Sequence, residues 1–118
     1  MSNRKTLFIF IVSVLSGCAN SQDFLKSAAD GDLKAVKSSL SSGVDINSQD
    51  PKNGYTALHL AASNDHKAIV KLLVESGADI NKLNFRKETP LDLSGTESTD
   101  RFLSKNGAKT AAELSSSN

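Results

Sequence analysis

The stretch GYTALHLAASNDHKAIVKLLVESGADIN, residues 54–81, decides the fold of this chain. Thr56 precedes a short apolar segment, and threonine is a residue type that caps the start of a helix. Residues 67–74 form a second segment, in which apolar residues with helical spacing stand at Ile69, Val70, Leu72 and Leu73. Gly77 follows, where a left-handed glycine commonly ends a helix. The stretch therefore predicts a helix, a turn, a second helix and an extended turn.

This pattern occurs three times along the chain, at nearly constant spacing. The segment GVDIN at 43–47 returns as GADIN at 77–81, and TALHL at 56–60 returns as TPLDL at 89–93. Helices this short are not stable alone, and each unit leaves an apolar face open. Only stacking of neighbouring units buries a continuous core, so the repeat predicts a solenoid.

Residues 54–81 resemble an ankyrin repeat over nearly their whole length. Residues 23–47 resemble an N-terminal ankyrin cap, and the segment that begins at Thr89 resembles a closing repeat. The resemblance implies an all-α ankyrin-repeat solenoid with short β-hairpin fingers. Its domain is expected at 23–114, with repeats at about 23–53, 54–86 and 87–114 and a tail at 115–118. Three repeats are near the minimum for a stable stack, so marginal stability is expected.

The third unit departs from the family pattern. It is about three residues shorter than the second unit, and we expect the shortening in its second helix. Asp92 stands where the family usually has histidine, and Ala57 stands where the second unit would usually have proline. These substitutions are expected to weaken the third unit.

The first fifteen residues differ in composition from the rest of the chain. Arg4 and Lys5 precede the nine-residue run LFIFIVSVL at 7–15, and small residues follow, which is the order found in a signal peptide. As a helix this run would span roughly 14 Å, about half of a ~30 Å hydrocarbon core, so it does not suit a membrane anchor. The sequence predicts a cleaved signal peptide at 1–17.

Leu15-Ser16-Gly17-Cys18 resembles the bacterial lipobox and contains the only cysteine of the chain. The resemblance implies cleavage before Cys18, acylation of its thiol and its new amino group, and a tether at 18–22. Two or more acyl chains make a stable membrane anchor. Inner-membrane lipoproteins often carry aspartate after the cysteine, so Ala19 indicates the outer membrane, facing the periplasm. The alternatives are ordinary secretory cleavage after Ala19 and a buried core cysteine, for which the flanks are wrong.

Composition and motifs indicate a binding module rather than an enzyme. Fourteen Lys and Arg against thirteen Asp and Glu give a net charge of +1, without the block of like charge that would indicate nucleic acid. Gly-x-Ser-x-Gly, P-loop and Gly-x-Gly-x-x-Gly motifs are absent from the sequence. The two histidines, His59 and His66, lack the spacing of a metal site. We predict no catalytic residue, metal, cofactor or small-molecule substrate.

The ankyrin resemblance assigns two sets of residues. Those that hold the turn into the first helix of a repeat, and so have a structural role, are Thr56, His59, Thr89 and Asp92. Those on the fingers and inner helices, where ankyrin proteins usually bind partners, are Gln49, Lys52, Asn53, Tyr55, Ser63, Asn64, Leu83, Phe85, Arg86 and Glu88. Aromatic residues and arginine dominate binding hot spots. Packing of one finger on the next is the alternative role for Tyr55 and Phe85.

These inferences predict a lipid-anchored ankyrin-repeat protein of the bacterial envelope that binds another protein. Two roles fit the resemblance: an accessory or immunity protein for a secreted enzyme such as a phospholipase, or a support factor for a periplasmic enzyme such as a catalase. A small hydrolase and a purely structural envelope protein are the alternative classes.

Overall fold

The computed structural model of the chain describes residues 20–116, so the predicted signal peptide and the predicted lipidation site Cys18 lie outside the described residues. The helices of the described part are α1 (Ser21–Asp30), α2 (Leu33–Ser41), α3 (Ala57–Ser63), α4 (Lys67–Glu75), α5 (Pro90–Leu93), α6 (Glu97–Lys105) and α7 (Ala111–Ser116). None of these helices has the length and hydropathy needed to cross a bilayer.

Six of the helices form three stacked pairs, which confirms the predicted all-α solenoid. The inner helices α1, α3 and α5 contact one another along the stack, and each outer helix, α2, α4 or α6, packs on the inner helix of its own unit. Alanines such as Ala28 and Ala61 are fully buried and allow the inner helices to approach closely. The largest fully buried apolar side chains of the core are Phe24, Leu58, Ile69, Leu73 and Leu103.

The fingers between the units are turns and not the predicted β-hairpins, because residues 20–116 contain no strand. In the first finger two backbone bonds close the turn, from Asp50 N to Tyr55 O (3.0 Å) and from Gly54 N to Asp50 O (2.9 Å). The Asp50 carboxylate accepts from the backbone N–H groups of Lys52, Asn53 and Tyr55. The Asp50 side chain therefore accepts from backbone N–H groups that would otherwise need partners on an opposite strand.

The third unit is shortened in its first helix, and the prediction of a shortened second helix was wrong. Helix α6 has nine residues, as α4 does, whereas α5 has only four against seven in α3. The chain leaves α5 at Ser94 in an extended conformation and crosses the end of α3, where Gly95 N donates to Ala62 O (3.3 Å). A Cβ at Gly95 would lie 3.3 Å from the Ser63 carbonyl oxygen, so the small residue permits this crossing.

Helix α1 begins inside the segment predicted to be the tether at 18–22. Asn20 caps it, and its side chain accepts from Gln22 N (2.9 Å). The first helix therefore starts two residues before Asp23, the predicted start of the domain.

Candidate protein-interaction surface

The turn from the first finger into α3 is held by Thr56 and His59. The Thr56 hydroxyl accepts from His59 N (3.2 Å), and the His59 ring accepts at Nδ1 from Thr56 N (3.1 Å), so each side chain bonds the backbone of the other. Both residues are buried. The arrangement is a capping box in which histidine takes the place usually held by glutamate or glutamine.

His59 also links the second unit to the second finger. Because Nδ1 accepts from Thr56 N, the ring proton lies on Nε2, which donates to Glu88 O (2.9 Å). Burial of the ring lowers the pKa of His59, although the Glu88 carbonyl and nearby carboxylates oppose the shift. The neutral imidazole therefore connects two neighbouring repeats.

We expect acidification to weaken the fold through His59. Since its pKa in the folded chain is below 6.5, its stabilising contribution is complete above pH 6.5 and is lost as the pH falls through the lowered folded value. NMR titration of a His66→Gln variant, which leaves one imidazole to observe, should give a pKa below 6.5, while urea unfolding should show lower stability at pH 5 than at pH 7. A ring that titrates at or above 6.5 would contradict this.

The third unit uses Thr89 and Asp92 in the same capping box. The Asp92 carboxylate accepts from Thr89 N (2.9 Å), the Thr89 hydroxyl (3.1 Å) and also Ala111 N (2.9 Å) at the start of α7. His59 donates to a backbone carbonyl of the following segment, whereas the Asp92 carboxylate can only accept. Aspartate therefore suits the third unit, because the segment after it presents the backbone N–H of Ala111. Asp92 thus helps to attach the last helix. The weakening of the third unit that the sequence predicts for this residue stays a prediction.

The two fingers are joined to each other by three contacts. The Gln49 side chain donates to Gly54 O (2.8 Å) in its own finger and to Leu83 O (2.9 Å) in the next. Phe85 N donates to Asn53 O (2.9 Å). The Phe85 ring covers Gly54, where a Cβ would lie 2.5 Å from a ring carbon, and the φ of +75° at this position also favours glycine. The fingers therefore form one connected surface.

The second finger is rigid at its base and apolar at its tip. Buried Asn84 accepts at Oδ1 from Arg86 N and Glu88 N (2.9 Å each). On either side of it, Leu83 is 40% exposed and Phe85 is 61% exposed, and they are the exposed large hydrophobic side chains of residues 20–116. A large apolar side chain held in water by an ordered loop is a feature of binding surfaces.

Comparison with known proteins agrees with this geometry. A family model described as "Ankyrin repeats (3 copies)" matches residues 24–112, more than half of the chain. The chain belongs to the ankyrin-repeat family. Ankyrin repeats imply protein–protein interaction, so the surface above is a candidate site for a protein partner.

Several relatives share the repeats. Ankyrin repeat domain-containing protein 40 of Mus musculus is 35% identical over 89 residues, which cover 75% of this chain and 24% of the relative. Ankyrin repeat and SOCS box protein 6 of Mus musculus is 41% identical over 78 residues, covering 65% and 19%. Putative ankyrin repeat protein YahD of Escherichia coli (strain K12) is 47% identical over 60 residues, covering 51% and 29%. The matches span less than a third of each relative's length.

The other predicted contact residues of this ankyrin-repeat protein divide by exposure. Lys52, Asn53 and Arg86 are exposed on the fingers. Ser63 and Asn64 are exposed at the end of α3, where the Asn64 side chain donates to Leu60 O (3.0 Å). The half-buried members are Gln49, Tyr55 and Glu88. The structure therefore brings Lys52, Asn53, Leu83, Phe85 and Arg86 to one exposed finger surface.

Two asparagines that connect the repeats were not identified from the sequence. Asn47 Oδ1 accepts from Asp79 N (2.8 Å), and Asn81 Oδ1 accepts from Lys109 N (2.8 Å). These asparagines are the last residues of the recurring segments GVDIN and GADIN. That recurrence was the available signal for a repeated structural role.

Polar contacts also join the helix turns of neighbouring ankyrin units. Asp65, with a φ of 59°, accepts from the hydroxyls of Thr99 (2.6 Å) and Thr96 (2.8 Å), and these bonds lower the pKa of the Asp65 carboxyl. His66 Nε2 lies 2.9 Å from Ala29 O of the unit before it. No cluster of three or more His, Cys, Asp or Glu side chains in the described residues could hold a metal ion.

Proposed function

We propose that this protein is a membrane-anchored ankyrin-repeat lipoprotein of the bacterial envelope that captures another protein on its joined fingers. The observation that supports capture at the fingers is Phe85, 61% exposed at the tip of a finger whose base is held by the buried Asn84 side chain. An aromatic side chain held in place before binding loses little conformational entropy when a partner covers it. Phe85 is therefore the proposed anchor of the interface.

The charges near Phe85 define the chemistry of the partner. Lys52, Arg86 and Lys87 are exposed on the two fingers, and none of them forms an ion pair within residues 20–116. The two finger carboxylates are hydrogen-bonded within their own fingers, Asp50 to backbone N–H groups of its turn and Glu88 to the Asn84 side chain (2.9 Å). The complementary surface is an apolar pocket with an acidic rim, because unlike charges at the rim steer association.

The predicted anchor would hold this surface close to the membrane. Only Ala19 and Asn20 stand between Cys18 and the start of α1. Two extended residues reach at most about 7 Å. A partner that itself acts at the bilayer suits this arrangement, which favours an accessory or immunity role toward a secreted enzyme such as a phospholipase.

We expect Phe85→Ala to reduce partner capture by about thirtyfold or more, which corresponds to the loss of a binding hot spot. The measurement is a crosslinked pull-down from the membrane fraction, with the recovered partner quantified against wild type. Lys37→Ala, an exposed change on α2, is the control and should capture normally. Far-UV circular dichroism should match wild type for both variants, and undiminished capture by Phe85→Ala would refute the finger surface.

The anchor has its own test. Cys18→Ala should move the protein from the membrane fraction to the soluble fraction, because the thiol that forms the thioether is gone. Intact mass of the wild-type protein should show the acyl chains and the loss of residues 1–17. A wild-type protein that is soluble and lacks acyl mass would exclude the anchor while leaving the finger surface untouched.

A further inference from the structure

A second candidate surface lies between two outer helices and shares no residue with the fingers. The space between α4 and α6 forms a cleft of about 180 Å³. Its lining consists of Lys67, Val70, Lys71, Ser98, Thr99 and Phe102. The walls are therefore mainly apolar, with two lysines on one side.

The cleft follows from the way the units stack. The inner helices contact each other closely, whereas contact between α4 and α6 is sparse. On α6 the side chains that face the gap include the small residues Ser98 and Thr99, and the Thr99 hydroxyl is held by Asp65 (2.6 Å). Short side chains in these positions leave space between the buried side chain of Val70 and the half-buried ring of Phe102.

The volume of the cleft limits what it can bind. A cavity of about 150 Å³ is enough for a benzene molecule. Pockets for drug-sized ligands are usually about 300–1,000 Å³. At about 180 Å³ the cleft suits one bulky apolar side chain and is too small for a whole lipid acyl chain.

The charged side chains that line the cleft are both lysines. Lys67 and Lys71 are exposed, and neither forms an ion pair within the described residues. The Asp65 carboxylate keeps its charge, because two threonine hydroxyls donate to it, and it interacts with Lys67 from outside the lining of the cleft. The Glu97 carboxylate is paired with Arg101. Two ammonium groups that form no ion pair, in the wall of an apolar cleft, complement carboxylates next to an apolar side chain.

We propose that the cleft between α4 and α6 binds an acidic peptide segment of a partner protein. The segment inserts one bulky apolar side chain between Val70 and Phe102, and its carboxylates lie near Lys67 and Lys71. This surface is independent of the finger surface, so Phe85→Ala leaves it unchanged. The protein would thus contact partner chains on two separate surfaces.

The probe is an acetylated and amidated pentapeptide with a central phenylalanine and two glutamates on each side. In NMR titrations of the full chain, this peptide should shift the amide signals of Val70 and Phe102. A peptide with central alanine should bind at least about tenfold more weakly, because the cleft buries the aromatic ring. A peptide with lysines in place of the glutamates should show no binding.

Matched substitutions test the cleft itself. Ser98→Trp fills it and should abolish the shifts, whereas Ser104→Trp, on the same helix but outside the lining, should retain them. Lys71→Glu should weaken binding at least about fivefold, while Lys37→Glu on α2 should change it less than about twofold. Far-UV circular dichroism of each variant should match wild type, which would show that the helices are intact.

Three results would overturn the proposal. One is the absence of shifts at Val70 and Phe102 at millimolar peptide. Another is equal binding of the phenylalanine and alanine peptides, and the third is binding that survives Ser98→Trp. Vesicles of phosphatidylcholine with a minority of phosphatidylglycerol test whether the cleft binds lipid instead. If the peptide does not bind, and Ser98→Trp abolishes binding to the vesicles, the cleft contacts the membrane surface.

Discussion

His59→Ala is expected to lower the free energy of unfolding by about 3–5 kcal/mol, the largest single effect of a polar substitution in this protein. The substitution removes a fully buried ring and leaves Thr56 N and Glu88 O without their partners. Domains are commonly stable by only about 5–15 kcal/mol, and a three-repeat stack is near the lower end. Urea unfolding followed by circular dichroism at 222 nm measures the change.

His66→Gln is the matched control for this prediction. His66 is half-buried, its ring makes one bond, to Ala29 O, and glutamine can donate to the same oxygen. The substitution should lower the free energy of unfolding by about 1 kcal/mol. A hydrolase would instead lose activity in His59→Ala with its fold intact, so a folded and stable His59→Ala protein would contradict the structural role.

Phe24→Ala is expected to destabilise the stack by about 3–5 kcal/mol, since it empties the largest buried site of the N-terminal unit. Phe24 is 0% exposed, and it corresponds in the repeat register to Leu58 of the second unit. A terminal unit has a neighbour on one side only, so a cavity there also loosens its hold on the second unit. The midpoint of urea unfolding should fall accordingly.

Phe85→Ala is the control for Phe24→Ala, because it removes the same side chain from an exposed position. Phe85 is 61% exposed and covers Gly54 with one face of its ring, so its removal should cost about 1 kcal/mol or less. Equal losses of stability from Phe24→Ala and Phe85→Ala would mean that the finger aromatic serves the fold. That result would remove the main support for a binding role at the fingers.

Much of the candidate site could be located from the sequence because ankyrin repeats keep their packing residues in register. The return of TALHL at 56–60 as TPLDL at 89–93 identifies the two capping boxes at Thr56 and Thr89. The same register placed Leu83 and Phe85 on a finger. The roles of Gln49 and Asp92 were less accessible, since their partners, Leu83 O and Ala111 N, are backbone atoms distant in sequence.

The sequence alone was sufficient to predict the three-unit solenoid, because regularly recurring segments and an apolar helical face leave stacking as the way to bury a core. The tertiary structure decided where the third unit is shortened, that the fingers close as turns, and that α4 and α6 leave a cleft between them. These features depend on how one unit lies against the next. Local residue patterns specify helices, but the gaps and backbone contacts between helices arise only when the units are packed together.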